Sequence, residues 1–155
     1  MKKFGLVLLA GVTAFTLAAC GGQSGGKEDS FTATLTTGAE IPAPEVGTAT
    51  PTGSVAATLS GDSDTLTVSG NFSGLTGPAT MAHIHVGDTG ATGGVVCTLT
   101  IDNETSGDIS GDCQVREDGK IEDGFINLQG LRDGDYYVNV HTEANAPGEI
   151  RGQLE

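Results

Sequence analysis

The chain has 155 residues, with 20 acidic and 7 basic side chains and a formal net charge of −13. A surface of this charge repels nucleic acids and anionic lipid headgroups, which argues against DNA or RNA binding and favours cations or basic partners. Tryptophan is absent and glycine occurs 25 times. Any hydrophobic core must therefore be built mainly from aliphatic side chains.

The first residues have the features of an export signal. Two lysines precede an apolar run at residues 4–19, which is too short to span a membrane as a mature helix. The run ends in Leu17-Ala18-Ala19-Cys20, which resembles the bacterial lipobox; this resemblance implies that residues 1–19 are cleaved and that Cys20 carries a lipid. Ordinary secretion, with Cys20 as a free thiol, is the alternative. Residues 20–30 are rich in Gly and Ser, which predicts a flexible tether.

These features predict a protein of the bacterial cell envelope, periplasmic or outward-facing, that is held to a membrane by its lipid alone. Removal of the signal takes away two lysines and no acidic residue, which makes the formal net charge of the mature chain −15. Cys97 and Cys113 are the cysteines that remain once Cys20 is assigned to the lipid. Because the compartment is oxidising, we predict that these two form a disulfide.

Residues 31–155 have the length of a single domain, without a break in composition. Short runs of Thr, Val, Ile and Leu alternate with Gly, Pro and Asp, and helical periodicity is absent, so the pattern predicts an all-β sandwich or barrel. We favour an antiparallel Greek-key β-sandwich, immunoglobulin-like or superoxide-dismutase-like. The predicted strands are residues 31–37, 53–59, 65–72, 80–86, 95–101, 106–115, 124–129, 136–142 and 149–154.

All 3 histidines of the chain lie on two of these predicted strands. Residues i and i+2 of a strand point to the same face of a sheet. The side chains that share a face with the histidines are, on the first strand, Met81, His83 and His85, and on the second strand, Tyr137, Asn139 and His141. The opposite face of each strand is aliphatic and is predicted to face the core.

Two histidines at i and i+2 have Cα atoms about 6.5 to 7 Å apart, so their imidazoles can converge on one metal ion. If the two strands are neighbours, His141 completes a three-nitrogen site with His83 and His85. Neutral imidazoles suit zinc, copper or nickel, and the thioether of Met81 on the same face would favour Cu(I).

Nearby polar residues could orient such a site. Asn139, Asp88 or Glu143 could form hydrogen bonds to the ring nitrogens that do not bind metal. Alternatively, the histidines are exposed polar residues, or they anchor the adjacent loops and bind no metal.

Several motifs occur along the body of the chain in a fixed order, namely Phe31-Thr32-Ala33-Thr34-Leu35, Gly74-Leu75-Thr76-Gly77-Pro78, Ala82-His83-Ile84-His85, Gly93-Gly94-Val95-Val96, Tyr136-Tyr137-Val138-Asn139-Val140-His141-Thr142 and Pro147-Gly148-Glu149-Ile150-Arg151-Gly152-Gln153-Leu154. Together they resemble the CHRD domain, named after chordin, over residues 31–154. The resemblance implies a β-rich module exported from the cytoplasm, without a settled activity for bacterial members. The positions that match the family pattern are His83, His85, Asn139, His141, Glu149 and Arg151.

A second and weaker resemblance is to copper/zinc superoxide dismutase. His83, His85 and the nearby Gly87-Asp88 are similar to that enzyme's copper strand. The resemblance implies a copper-dependent redox enzyme in which Arg151 guides an anion. That enzyme also needs a bridging histidine and a zinc loop, whereas this chain has a single histidine after His85.

Three functions are compatible with these observations. The first is a lipid-anchored binding module with copper or zinc held by His83, His85 and His141. The second is an adhesion or interaction module that meets an extracytoplasmic protein or glycan without metal, and the third is a dismutase-like enzyme. No Ser-His-Asp triad, paired-carboxylate cleft or phosphate-binding loop is legible, so we assign no catalytic residue and favour a protein that is not an enzyme.

Overall fold

The structure is a computed structural model that describes residues 29–120, 122 and 124–155. The expected signal peptide, the expected lipid attachment at Cys20 and the expected tether up to residue 28 lie outside the described residues. Within the described ranges, no helix is long and apolar enough to cross a membrane.

The described residues form nine strands, a single-turn 3-10 helix at Thr37–Ala39 and one short α-helix. The strands are β1 (Ser30–Thr36), β2 (Thr52–Leu59), β3 (Thr65–Ser73), β4 (Ala79–Val86), β5 (Val95–Ile101), β6 (Gly107–Arg116), β7 (Ile126–Asn127), β8 (Tyr136–Thr142) and β9 (Ile150–Gln153), and helix α1 (Leu128–Asp133) lies between β7 and β8.

Eight of the strands close into one barrel in the spatial order β3-β2-β1-β9-β8-β4-β5-β6, and β6 pairs again with β3. The closing ladder is long, from Thr65 opposite Gln114 to Phe72 opposite Gly107. The two-residue strand β7 is added in parallel to β6, and the other pairings are antiparallel.

The prediction of an all-β, antiparallel domain is confirmed, but the predicted sandwich of two separate sheets is replaced by a closed barrel. Alternation along a strand shows which side chains face the core, but it does not show which two edge strands meet. The β3–β6 ladder decides that point, and closure leaves no free edge in the barrel.

The core fills the inside of the barrel with the inward-facing side chain of every second residue. In β1 the exposed and buried positions alternate strictly, with Phe31, Ala33 and Leu35 buried. Ile84, Val138 and Val140 contribute to the same core from β4 and β8 and are 0% exposed. Each buried aliphatic side chain stabilises the fold by roughly 1.5 to 3 kcal/mol, and those of β4 and β8 fix the two strands that carry the histidines.

The predicted strand at residues 124–129 is wrong over most of its length. Only Ile126–Asn127 is a strand, and the chain then enters helix α1. The side-chain oxygen of Asn127 accepts a hydrogen bond of 3.0 Å from the backbone N–H of Gly130, which caps the helix. With 6 residues, the helix is too short for its hydrophobic periodicity to be visible in the sequence.

Cys97 on β5 and Cys113 on β6 form a disulfide, with Cα atoms 5.7 Å apart. The predicted pairing is therefore present in the structure. The bond joins two neighbouring strands, and Cys97 itself lies opposite Ile84 on the histidine-bearing strand β4.

Candidate metal site

Strands β4 and β8 are antiparallel neighbours in the barrel. Met81 lies opposite His141, and His85 lies opposite Tyr137. Between these pairs, His83 lies opposite Asn139. The expected face parity and the strand adjacency on which the metal hypothesis depended are both present in the structure, and the histidines lie on the outside of the barrel.

The three histidines are close enough to share one ion. His83, His85 and His141 each offer a ring nitrogen, and these nitrogens all lie within 4.8 Å of one another. The shortest contact joins His83 Nδ1 to His141 Nε2 at 3.2 Å. Two nitrogens bound at about 2.0 Å to one tetrahedral ion are about 3.3 Å apart, so the His83–His141 pair already has the spacing of two metal ligands.

Two backbone carbonyls fix which ring nitrogen is available. His85 Nδ1 lies 3.0 Å from the carbonyl oxygen of Gly93. His141 Nδ1 lies 3.0 Å from the carbonyl oxygen of Ala146. Because a carbonyl oxygen only accepts, each Nδ1 carries the proton and donates, and each Nε2 keeps a lone pair that can bind metal. His85 Nε2 is buried and has no hydrogen-bond partner among the described residues.

The ring of His85 is part of a stack. Tyr137 lies parallel to it, with ring centroids 5.0 Å apart and an interplanar angle of 5°. The guanidinium carbon of Arg151 lies 3.4 Å from the centroid of Tyr137. Strands β4 and β9 flank β8 on opposite sides, so Tyr137 is held between a cation and an imidazole. This arrangement fixes the plane of the His85 ring.

Arg151 does not lie where an anion guide would need it. Its side chain is 2% exposed, and Nη2 donates a hydrogen bond of 3.1 Å to the carbonyl oxygen of Asp88. The residue that the dismutase resemblance assigned to anion guidance is thus buried under the loop that follows β4.

All three imidazoles are in environments that favour the neutral form. Burial is the main cause that lowers the pKa of His83, and the charges of His141 and His85 lower it further. Burial also lowers the pKa of His85 and of His141, although the carbonyl hydrogen bonds oppose the shift. Neutral imidazole is the form that binds metal.

Three connecting segments cover the outer face of β8, which explains why its polar side chains are buried. Asn139 and His141 are 4% and 5% exposed, although they point away from the core. Glu40 belongs to the segment that precedes β2 and is 6% exposed. The segments 87–94 and 143–149 supply the carbonyls that orient the histidines. The histidines thus lie between the barrel wall and its loops.

Buried Glu149 holds the 143–149 segment in place. Its carboxylate is 0% exposed and accepts hydrogen bonds from Thr76 N and Thr76 Oγ1, each at 2.6 Å. Thr142 Oγ1 at 2.6 Å and Asn145 Nδ2 at 2.9 Å are further donors. Burial raises the pKa of Glu149, but these hydrogen bonds outweigh it and hold the pKa below its usual value. The hydrogen bonds to Glu149 fix the loop that carries Ala146.

The expected orienting side chains are not the ones that the structure uses. Asn139 Nδ2 donates to the carbonyl oxygen of Pro147 at 3.2 Å. Glu143 is exposed, and Asp88 contributes its backbone carbonyl to Arg151. The Nδ1 atoms of His85 and His141 form hydrogen bonds with main-chain oxygens instead. Because every residue has a main-chain oxygen, these partners cannot be recognised from the sequence.

A family model for the CHRD domain matches residues 31–154 of the chain. The match spans the barrel from the first core residue of β1 to the last buried residue after β9, and it confirms the resemblance seen in the sequence. Neither the search of curated proteins nor that of solved structures found a match.

Proposed function

The chain belongs to the CHRD-domain family, and we propose that it is a metal-binding member of that family, with one copper or zinc ion held by His83, His85 and His141. We propose further that it is anchored to a membrane of the cell envelope by a lipid on Cys20. The observation that carries the metal proposal is the proximity of three ring nitrogens, which lie within 4.8 Å of one another, on imidazoles of which two are oriented by backbone carbonyls.

The buried nitrogen of His85 supports this proposal most directly. A buried lone pair without a donor costs free energy, roughly 1 to 3 kcal/mol, and His85 Nε2 is such an atom. A metal ion at the point where the three rings meet would satisfy it. Since His83 Nδ1 faces His141 Nε2 at 3.2 Å, the same ion would replace that single contact by two metal–nitrogen bonds.

Three protein ligands are the number found in zinc and copper sites that keep one position open. The carbonyls of Gly93 and Ala146 play the part that outer hydrogen-bond partners play in known metal sites, where they fix the tautomer and the ring plane. The acidic surface, with a formal charge of −13 for the full chain, would raise the local concentration of cations.

Metal titration of the full chain tests the proposal. The protein is purified in detergent without a histidine tag and titrated with Cu(II), Cu(I) and Zn(II) by calorimetry or by chelator competition. We expect one equivalent to bind, and His83→Ala, His85→Ala or His141→Ala to weaken binding by at least roughly tenfold.

Thr98→Ala is the matched control. Thr98 lies opposite His83 on β5, is exposed, and offers no ring nitrogen. Its replacement should leave metal affinity unchanged. Binding that is absent from the native chain, or that is equally strong in the histidine variants, would refute the proposal.

A further inference from the structure

Met81 places a sulfur atom beside the histidine cluster, on the exposed face of β4. Met81 is 48% exposed, more than any other large hydrophobic side chain in the described residues. It lies opposite His141 in the β4–β8 ladder. Side chains at directly opposed positions have Cβ atoms about 4.5 to 5.5 Å apart, so the thioether of Met81 is within reach of the ion that His141 would bind.

Alternation along β4 places Met81 on the face of His83 and His85, and a β-bulge directly precedes it. The register between β4 and β8 shifts between Ala79 and Met81, and as a result Thr80 and Met81 are both exposed. The hydroxyl of Thr80 donates to the carbonyl oxygen of His141 at 3.2 Å, which anchors the bulge. Bulges are common beside functional sites, and this one lies next to the thioether that shares a row with His83 and His85.

From this geometry we infer that the metal of the proposed site is monovalent copper and that Met81 is its fourth, solvent-facing ligand. The inference rests on the proposed function, because it needs the three-histidine site to exist. Thioether sulfur is a soft ligand that selects Cu(I) over zinc. Three imidazoles and one thioether also complete a four-coordinate set, with the sulfur on the open side of the site.

The charge of the surroundings favours a monovalent ion. The four ligands are uncharged, so they do not neutralise the charge of a bound cation. The cost of placing an ion away from water rises steeply with its charge. A divalent ion would have no carboxylate ligand here to offset that cost, whereas Cu(I) adds a single charge.

The exposed position of Met81 determines how the ion would enter and leave. His85 and His141 are fixed by carbonyls of the covering loops, whereas Met81 is half exposed and flexible. An incoming ligand from a second molecule can displace the thioether without opening the loops. The site is thus suited to take up Cu(I) from, or pass it to, another soft ligand outside the cytoplasm.

The test compares Cu(I) and Zn(II) affinities of the native chain with those of Met81→Leu, which keeps the volume and removes the sulfur. Cu(I) is held reduced under anaerobic conditions and its affinity is measured by competition with a chromophoric Cu(I) chelator. We expect Met81→Leu to weaken Cu(I) binding by roughly tenfold or more and to change Zn(II) binding less than about twofold. Thr98→Leu adds the same apolar group on the other side of His83 and should alter neither affinity.

X-ray absorption at the copper edge provides a second measurement. In protein labelled with selenomethionine, Met81 contributes a selenium neighbour to bound Cu(I), and Met81→Leu removes it. Equal Cu(I) affinity in Met81→Leu, or an equal loss for both metals, would overturn the role of Met81 and leave the three-histidine site intact. Absence of all metal binding in the native chain would overturn both proposals.

Discussion

Glu40 should make the stability of this protein depend on pH in a way that one substitution removes. Its carboxyl group is 6% exposed, and Oε1 has no hydrogen-bond partner among the described residues. Burial raises the pKa of Glu40 from 4.5 to about 7, although the charge of Arg151 acts in the opposite direction.

The sign of the effect follows from proton binding. Below pH 4.5 the carboxyl is protonated in both the folded and the unfolded chain, so it does not affect the free energy of unfolding. Between pH 4.5 and about 7 the folded chain holds a proton that the unfolded chain has lost, and stability falls as the pH rises. At about 1.4 kcal/mol per pH unit, the full loss above pH 7 is roughly 3 kcal/mol.

Glu40→Gln tests this directly, because glutamine is a neutral isostere of the protonated acid. We expect the variant and the native chain to be about equally stable near pH 4.5, and the variant to be more stable by roughly 2 to 3 kcal/mol at pH 8. Urea denaturation at a series of pH values gives the difference, in which the titration of all other groups cancels. A difference that does not change between pH 4.5 and pH 8 would show that the pKa of Glu40 is not raised in the folded chain.

Further predictions concern the disulfide and the covering loop. Reduction of the Cys97–Cys113 bond, whose cysteines are 16 residues apart, should lower the free energy of unfolding by about 3 kcal/mol; superimposable urea curves with and without reductant would contradict this. Glu149→Gln places an amide NH₂ group, which is itself a donor, against the donors of Thr76, Thr142 and Asn145. It should therefore lower the free energy of unfolding by about 2 kcal/mol or more, measured by thermal or urea unfolding. Gly148→Ala adds a Cβ against Asn139 and Glu40 at a φ of +148°, so it should displace the 143–149 segment and weaken metal affinity; unaltered affinity would show that this loop does not hold the site.

The sequence predicted the two strands of the site well because their periodicity is simple. Ala82, Ile84 and Val86 alternate with the histidines, as do Val138 and Val140 with Asn139 and His141. A closed barrel needs such alternation, since one face meets the core. Face parity could therefore be read directly, and the family resemblance linked the two strands although they are far apart in the chain.

The closure of the barrel and the covering loops could not be predicted in the same way. The β3–β6 ladder joins two strands that are far apart in the chain. The residue pattern of each strand does not show that they pair. Burial of Glu40 and Arg151, two charged residues expected at the surface, depends on loops that fold back over β8 and β9. Helix α1 was missed for a different reason, because six residues are less than two turns.

The proposed function requires one ion at the point where the rings of His83, His85 and His141 meet. Anomalous scattering at the copper edge, from crystals of the copper-loaded chain, tests it most directly. We expect one strong peak about 2.0 Å from a nitrogen of each ring, with the Nδ1 atoms of His85 and His141 still donating to the carbonyl oxygens of Gly93 and Ala146. A peak at surface carboxylates, or none near the three rings, would contradict it.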